Sequence, residues 1–208
     1  MPADLWSLVL AAGASRRLGT AKQLLKIRGR RLLSRTIDAA EGVTPNRVVV
    51  VIGADALRIR SLIRRHHPAT HSVTNSRWDQ GMAGSLQTGL AVLPSSAAAA
   101  LLLLSDQPAV GEGSMRRLIR AWRRRPGKAA AAGYEEVAGV PAILPRALWR
   151  EARRLRGDTG ARKLLRVGQT VATVVEMPEA AWDIDTPEDL QWQTQGHPAP
   201  GNRWRRIA

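Results

Sequence analysis

The sequence predicts an α/β protein with a mostly parallel sheet that is covered by helices on both faces. Short, continuous apolar runs at residues 5–12, 47–52 and 98–104 have the length and composition of strands buried on both sides. Segments with helical spacing of apolar residues follow these runs. Glycine or polar residues stand directly after the runs, where ligands bind in parallel sheets. Together these features indicate a Rossmann-like arrangement.

The first half of the chain alternates strands with helices. The apolar run at residues 5–12 ends at Gly13, which predicts a buried strand leading into a glycine loop. The β-branched run RVVVVI at residues 47–52 predicts a second strand, which Gly53 stops. The predicted elements are strands at 5–12, 47–52, 72–74 and 98–104, and helices at 32–40, 56–65 and 82–93.

The second half continues the same alternation. The predicted elements are helices at 114–125, 146–154 and 161–166 and strands at 128–132, 141–144 and 170–175. Residues 187–192 are predicted to form the start of a last helix. The final stretch, GHPAPGNRWRRIA at residues 196–208, has no periodicity and is rich in turn-forming residues. We therefore expect one domain at residues 1–195 and a loose tail at 196–208.

Composition excludes several classes of protein. The 208 residues are 44% hydrophobic and 24% charged, which predicts a folded core rather than disorder. No apolar run reaches the roughly 18–20 residues that span a bilayer, and no basic segment precedes the first apolar run. The absence of cysteine excludes disulfides, thiolate metal sites and cysteine nucleophiles. We expect a cytoplasmic protein that is not embedded in a membrane.

The chain is strongly basic, with 32 Lys and Arg residues against 17 Asp and Glu residues and a net charge of +15. This charge indicates either an anionic partner or an arginine-rich composition without a role in binding. The arginines are scattered at helix-like spacing, and no basic strand interleaved with aromatic residues appears. The sequence therefore does not favour a nucleic-acid-binding protein.

The glycine loop, LAAGASRRLGTAKQLL at residues 10–25, has the chemistry of an anion site. Small residues after a strand allow backbone N–H groups to approach an anion closely. Ser15 adds a hydroxyl group, and Arg17 and Lys22 add two cations that can bind a triphosphate. The loop matches neither the P-loop nor the three-glycine dinucleotide pattern. A plain strand-to-helix turn with basic surface residues is the alternative.

Five collinear segments resemble one family. They are the glycine loop, NSRWDQGMAGSL at 75–86, LSDQP at 104–108, GDTGARKLL at 157–165 and DIDTPEDL at 183–190. These segments resemble the nucleotidyltransferases that act on the molybdenum cofactor, within the larger group that activates sugars and isoprenoid precursors. The resemblance implies a nucleotidyltransferase-type fold. It also implies transfer of CMP from CTP to the phosphate of a molybdenum-bound pterin, with release of pyrophosphate.

The resemblance also implies the roles of individual residues. Arg17 and Lys22 would act on the triphosphate and the leaving pyrophosphate. Asp158 and Arg162 would face the pterin. The nucleotide would be held by Leu10, Ala11, Ala12, Gly13, Asn75, Asp79 and Ser85.

Two carboxylates are the candidate magnesium ligands. Asp106 follows an apolar strand, where a carboxylate can hold Mg²⁺ together with substrate phosphates. The resemblance implies that Asp106 and Asp185 share one Mg²⁺, with Asp183 as a further candidate. If the segment is extended, Asp183 and Asp185 point the same way. Asp185 or Thr186 also has the position of a helix cap.

The resemblance favours CTP on two features. Ala12 stands where the guanylyl branch usually has Gly, and Asp183 and Asp185 stand where that branch tends to have asparagines. The chain departs from many relatives at Ser76 and Val140, which bears on the identity of the second substrate. The alternatives are a guanylyltransferase, a related enzyme with another phosphorylated acceptor, and a non-catalytic cofactor carrier. The resemblance also implies a molybdoenzyme or its chaperone as recipient of the product.

Overall fold

The computed structural model, which describes residues 4–158, 160–166 and 172–194, has the α/β architecture that the sequence predicts. The strands are β1 Leu5–Ala11, β2 Lys26–Ile27, β3 Arg30–Arg31, β4 Val48–Ile52, β5 His71–Thr74, β6 Ala99–Leu104, β7 Ala130–Tyr134, β8 Val137–Pro145 and β9 Thr173–Glu176. The helices are α1 Leu32–Glu41, α2 Ala56–His66, α3 Met82–Ala91, α4 Glu112–Arg123, α5 Trp149–Ala152, α6 Arg162–Arg166 and α7 Pro187–Thr194.

Seven strands form one sheet in the order β5-β4-β1-β6-β8-β7-β9. β1 lies between β4 and β6 and is parallel to both, and β5 is parallel to β4. Because these four strands run the same way, their carboxyl ends lie along one edge of the sheet, which we call the carboxyl edge. Gly13, Gly53, Asn75 and Asp106 all follow strands that end there.

The sheet is buried on both faces, which explains its continuous apolar runs. On one face, helices α1, α2 and α4 pack against β1, β4 and β6 through residues such as Ile37, Ile63 and Met115. On the other face, α3, α5 and α6 contribute residues such as Leu86 and Trp149. Side chains along β1 alternate between the two faces, as the twofold repeat of a strand requires.

The antiparallel part of the sheet arises from a tight turn that the sequence pattern did not reveal. β7 and β8 are joined by Glu135 and Glu136, whose φ angles are 48° and 61°. Two successive positive φ values are typical of the two-residue hairpin turn that matches strand twist. β8 consequently runs antiparallel to both β6 and β7, and it extends over Val137–Pro145 rather than over residues 141–144 alone.

Other predicted boundaries shift for local reasons. The helix predicted at 146–154 is reduced to a short 3₁₀ turn and α5, Trp149–Ala152. Gln87 Nε2 donates hydrogen bonds to the carbonyls of Ala152, Arg153 and Leu155, which takes these acceptors out of a continuing helix. The predicted tail at 196–208 and the start of the strand predicted at 170–175 lie outside the described residues.

A small third cluster joins the C-terminal segment to the rest of the fold. Ile27, Leu32 and Ile184 are buried together, where the β2–β3 hairpin meets the start of α1. Ile184 is fully buried, so the residues on either side of it, Asp183 and Asp185, face away from this cluster. In the described part of the chain, no helix combines the length and apolar character needed to cross a bilayer.

Candidate active site

Two cations and two carboxylates meet at the carboxyl edge. Lys22 Nζ lies 2.5 Å from Asp106 Oδ2 and 2.8 Å from Asp185 Oδ1. Arg17 Nη2 lies 3.5 Å from Asp185 Oδ2, with 76% of the Arg17 side chain exposed. The structure thus brings together three segments that are far apart in the sequence, and it puts Lys22 between the two carboxylates.

Partial burial changes the pKa values of the charged groups in this cluster. The side chains of Lys22 and Asp106 are only 14% and 15% exposed. Burial alone would lower the pKa of Lys22, but Asp106 and Asp185 together raise it above its ordinary value of 10.5. Lys22 therefore carries a full positive charge at neutral pH. Partial desolvation and the neighbouring carboxylates of Asp106 and Asp185 raise the pKa of Asp183 to about 6.

The glycine loop is held in shape by a residue that sequence reasoning missed. Gln23 is buried, and its Nε2 donates hydrogen bonds to the carbonyls of Ala11 at 3.1 Å and Gly13 at 2.9 Å. Lys22 N donates to Ser15 Oγ at 3.1 Å, so the Ser15 hydroxyl group also closes the loop. The only sequence signal for Gln23 is its position next to Lys22.

Backbone and side-chain bonds tie the two carboxylate segments together. Ile184 N donates to Asp106 O at 3.0 Å, which fixes the Asp183–Asp185 stretch against the end of β6. Gln107 Nε2 donates to Val140 O at 3.0 Å and to Ala180 O at 2.7 Å. Gln107 therefore connects the Asp106 turn to β8 and to the segment that leads into Ile184.

Helices α4 and α7 fix the two ends of the C-terminal segment. Ser114 Oγ donates to Glu179 Oε1 at 2.6 Å, and Arg117 forms an ion pair with the same oxygen. Burial would raise the pKa of Glu179, but these partners lower it overall. At the other end, Asp189 Oδ2 accepts bonds from Asp185 N and Thr186 N. Asp189 N donates to Thr186 Oγ1, which forms a reciprocal cap at the start of α7.

Gln107 gives a testable prediction about positioning. In Gln107→Leu the buried carbonyls of Val140 and Ala180 lose their partner, at a cost of about 1–3 kcal/mol for each unsatisfied group. We expect the variant to need a higher divalent-cation concentration for half-maximal turnover, because the Asp106 turn loses its bonds to β8 and to the segment before Ile184 and is held less firmly beside Asp185. Activity titrated with Mg²⁺ and with Mn²⁺ measures this change.

Gln87→Leu is the matched control. Gln87 also bonds to backbone carbonyls through Nε2, but it does so between α3 and the α5 region, and it contacts none of the four clustered residues. We expect a comparable loss of thermal stability in this variant with unchanged cation dependence. Identical cation dependence in the Gln107 and Gln87 variants would contradict the positioning role.

The segment at residues 75–86 forms a second part of the site. Asn75 is buried, its N–H bonds to Ile52 O, and its Nδ2 donates to Ser85 Oγ at 3.1 Å. Asn75 Oδ1 accepts from Arg77 N at 3.0 Å. Asp79 lies in a short 3₁₀ turn, Trp78–Gln80, and is exposed. Asn75 and Ser85 are thus already paired, whereas the Asp79 side chain is accessible to a ligand.

The predicted acceptor loop packs against the start of α3. Gly81 has a φ of 102°, and a Cβ there would lie 2.3 Å from the carbonyl carbon of Gly157. Ala83 N donates to Gly157 O at 3.0 Å. Asp158 is exposed on this loop, and Arg162 begins α6 but its side chain lies outside the described residues. The predicted acceptor-binding segment therefore contacts the predicted nucleotide-binding segment directly.

The two clustered carboxylates fit a divalent cation. Among the described residues no three His, Cys, Asp or Glu side chains converge as a metal site. Mg²⁺ needs only one or two protein carboxylates when substrate phosphates complete its shell. Asp106 Oδ1 is buried and accepts no hydrogen bond from a described residue, and the Lys22 ammonium already lies between the two carboxylates. Asp106 Oδ1 is thus a carboxylate oxygen that a divalent cation could take as a ligand, with Asp185 as its neighbour on the other side of Lys22.

The fold and this site define a domain of the nucleotidyltransferase type. Residues 7–174 match the family described as the MobA-like NTP transferase domain, and the chain belongs to that family. As a member it is a nucleotidyltransferase-family protein with transferase chemistry. The membership confirms the coarse level of the sequence prediction, which is nucleotidyl transfer by a nucleotide-binding α/β domain.

Three known proteins illustrate the similarity. The chain is 27% identical to the purine catabolism protein PucB of Bacillus subtilis over 197 residues, covering 89% of this chain and 93% of PucB. It resembles Rv0371c of Mycobacterium tuberculosis H37Rv with a TM-score of 0.78 and 29% identity, over 94% of this chain and all of that one. Another structure of Rv0371c is a complex with manganese, at a TM-score of 0.76 and 27% identity over 93% and 99% of the two chains.

The molybdopterin-guanine dinucleotide biosynthesis protein A of Archaeoglobus fulgidus shares the fold. Its TM-score is 0.63 at 18% identity, over 91% of this chain and 96% of that one. At this identity the likeness extends to the fold alone.

Proposed function

We propose that this protein transfers CMP from CTP to the phosphate of the molybdenum-bound pterin cofactor and releases pyrophosphate. The observation that carries the proposal is the cluster of Lys22, Asp106 and Asp185 at the carboxyl edge, beside the glycine loop. A pair of partly buried carboxylates next to two cations suits a reaction in which a polyphosphate and a divalent cation meet. A non-catalytic carrier has no need of such a cluster.

The nucleotide would bind along the carboxyl edge. Backbone groups of Leu10, Ala11, Ala12 and Gly13 would hold the base side of CTP, in the loop conformation that Gln23 fixes. Asn75, Asp79 and Ser85 would contact the base and ribose from the neighbouring segment. The bond between Asn75 and Ser85 supports this role because it orients the amide before the nucleotide arrives.

In the transfer itself, an oxygen of the acceptor phosphate attacks the α-phosphorus of CTP. The new P–O bond forms as the bond from the α-phosphorus to the bridging oxygen breaks, and pyrophosphate leaves with that electron pair. A phosphomonoester is already ionised near pH 7, so no general base is required. Arg17 and Lys22 would offset the charge that develops on the leaving group. The exposure of Arg17 supports this role because its forked donors are accessible to two phosphate oxygens, beyond the one long ion pair with Asp185.

Asp106 and Asp185 would hold the divalent cation, which we propose is Mg²⁺. When bound, the ion supplies positive charge to the phosphate oxygens at the reacting centre. The two carboxylates keep this charge at the carboxyl edge, because Ile184 N and Gln107 fix the segments that carry them. Asp183 is the further candidate ligand on the same extended stretch.

The proposed preference for CTP rests on Ala12 and on the pair Asp183 and Asp185, of which Ala12 gives the more direct test. The Ala12 side chain is buried, and a Cβ at Gly53 would lie only 2.8 Å from Ala12 Cβ and 2.6 Å from Trp78 Cβ. This packing fixes Ala12 between the end of β1 and the segment of residues 75–86, the two parts of the chain that would hold the base and ribose, and its methyl group would leave less room there for a purine. Asp158 and Arg162 would receive the pterin, and a molybdoenzyme or its chaperone would take the product.

Ala12→Gly should shift the preference from CTP toward GTP. Removing the methyl group widens the pocket by one carbon, and a change of about 1.4 kcal/mol in relative affinity alters the ratio tenfold. Competition between CTP and GTP at saturating acceptor measures the ratio of kcat/KM values. Ala14→Gly, a similar deletion on the same loop at a half-buried position, is the control. An unchanged ratio in an active Ala12 variant would contradict the pocket argument.

A pyrophosphate-release assay tests the proposed function. The protein is supplied with each of the four nucleoside triphosphates, Mg²⁺ and the molybdenum-bound pterin. We expect release with CTP that requires the pterin. If, with the pterin present, only GTP among the four nucleotides gave pyrophosphate, the result would favour the guanylyl alternative. Release with another phosphorylated acceptor but not with the pterin would overturn the assigned acceptor.

A further inference from the structure

A groove on the surface lies apart from the cluster of Lys22, Asp106 and Asp185. It runs between helix α2 and residues 24–31, and its volume is about 550 Å³. One of its lining residues is Leu24, which stands two residues after Lys22 in the chain. The groove therefore adjoins the segment that carries the active-site lysine without using any residue of the proposed reaction.

The groove offers apolar surface to a ligand. Leu24 and Leu62 line it, and Leu62 is almost fully buried in the core beneath. Leu57 also lines it and is 80% exposed, more than any other large apolar side chain in the described part of the chain. An isolated exposed leucine is ordinary on a protein surface, but Leu57 lines a groove together with Leu24 and Leu62, so the three leucines can contact one bound side chain.

The groove is also strongly basic. Arg31, Arg58 and Arg65 line it together with His66, and none of its described lining residues is acidic. Arg31 and Arg65 form no ion pair with a described residue, and Arg58 forms one only with the half-buried Asp55, at 3.2 Å. Three arginines thus line the same groove as three leucines, on a chain whose net charge is +15.

We propose that this groove binds an acidic segment of a partner protein, with an apolar side chain of the segment on Leu57 and its carboxylates on the arginines. A second copy of this chain is a poor occupant because both surfaces would be positive. Nucleic acid is also a poor occupant, because no aromatic side chain lines the groove to stack on bases and a phosphate backbone gains nothing from an exposed leucine. The inference is independent of which nucleotide or acceptor the active site uses.

Fluorescence anisotropy tests the proposal with a labelled peptide of about twelve residues, long enough to line one such groove. The probe carries glutamates on either side of a leucine, and a second probe replaces that leucine with serine. The full-length protein is compared with Leu57→Ser and with the double variant Arg58→Glu, Arg65→Glu. Leu57 is largely exposed and the Asp55–Arg58 pair lies at the surface, so we expect these variants to fold normally.

The matched control reverses the same number of charges elsewhere. Arg120 and Arg123 are exposed on α4, and Arg120→Glu, Arg123→Glu changes the net charge by the same amount. We expect at least about a tenfold loss of peptide affinity in the Arg58, Arg65 variant, a clear loss in Leu57→Ser and with the serine probe, and little change in the α4 variant. Nucleotidyl transfer to the small acceptor should remain as in the wild type in all of them.

Three results would overturn the proposal. An equal loss in the α4 variant would mean that the peptide responds to net charge alone. Equal binding of the leucine and serine probes would remove Leu57 from the interaction. If a single-stranded oligonucleotide bound more tightly than the acidic peptide, and if its binding depended on Arg58 and Arg65, the groove would be a nucleic-acid site instead.

Discussion

Asp106→Asn is expected to reduce the rate of nucleotidyl transfer by at least about 100-fold, the loss typical when one group that stabilises transition-state charge is removed. The substitution keeps the volume of the side chain and removes its charge. Asp106 Oδ2 is the oxygen that Lys22 approaches, and Oδ1 is the buried oxygen without a hydrogen bond from a described residue. Both the cation site and the lysine position therefore depend on this one carboxylate.

Steady-state kinetics across a range of Mg²⁺ concentrations measures the effect, with thermal unfolding as a check on the fold. Asp4→Asn is the control, because Asp4 forms an ion pair with Arg47 at 2.8 Å beside the opposite end of β1. That variant should lose little activity. Near-normal turnover of Asp106→Asn at limiting Mg²⁺ would show that Asp106 does not hold the cation.

Lys22→Met should have an effect of similar size. The variant keeps the length of the side chain but leaves Asp106 and Asp185 without the ammonium group that they share. We expect kcat to fall by about 100-fold or more and KM for CTP to change less, because the charge matters most while pyrophosphate leaves. Since Asp106 and Asp185 raise the pKa of Lys22, wild-type activity should not decline through loss of this proton below pH 10.5.

Lys22→Arg and Lys26→Met sharpen this comparison. The first keeps the charge but replaces a compact ammonium with a planar fork, so we expect only partial recovery of kcat. The second removes a charge from an exposed lysine four residues further on, in β2, and should leave kcat unchanged. If Lys22→Met and Lys26→Met lose the same small fraction of activity, Lys22 is an ordinary surface cation and the cluster has no catalytic role.

The strands that build the carboxyl edge were predictable from sequence because each is buried on both faces. β1, β4 and β6 consist almost entirely of Leu, Val, Ile and Ala, and glycine or polar residues stop them abruptly. The β2–β3 hairpin was not predictable, since its strands have two residues each and carry Lys and Arg. The antiparallel direction of β8 follows from the positive φ angles at Glu135 and Glu136. Two glutamates are not the residues from which such a turn is usually predicted.

The site was predictable in its members but not in its contacts. Lys22, Asp106 and Asp185 each stand in a recognisable motif, yet the position of Lys22 between the two carboxylates follows only from the folded chain. Gln23 and Gln107 act through backbone carbonyls of residues 10 to 73 positions away. A hydrogen bond from an amide side chain to a backbone carbonyl does not require a particular residue type at the acceptor position. The sequence therefore contains no pattern from which the roles of the two glutamines could be predicted.

The most direct test follows the α-phosphorus of CTP through the reaction. CTP labelled at the α-phosphorus and CTP labelled at the γ-phosphorus are each incubated with the protein, Mg²⁺ and the molybdenum-bound pterin, and the products are separated. The proposed mechanism predicts α-label in the pterin product, γ-label in pyrophosphate, and neither with Asp106→Asn. Release of the γ-label as orthophosphate, with no α-label on the pterin, would contradict nucleotidyl transfer at this site.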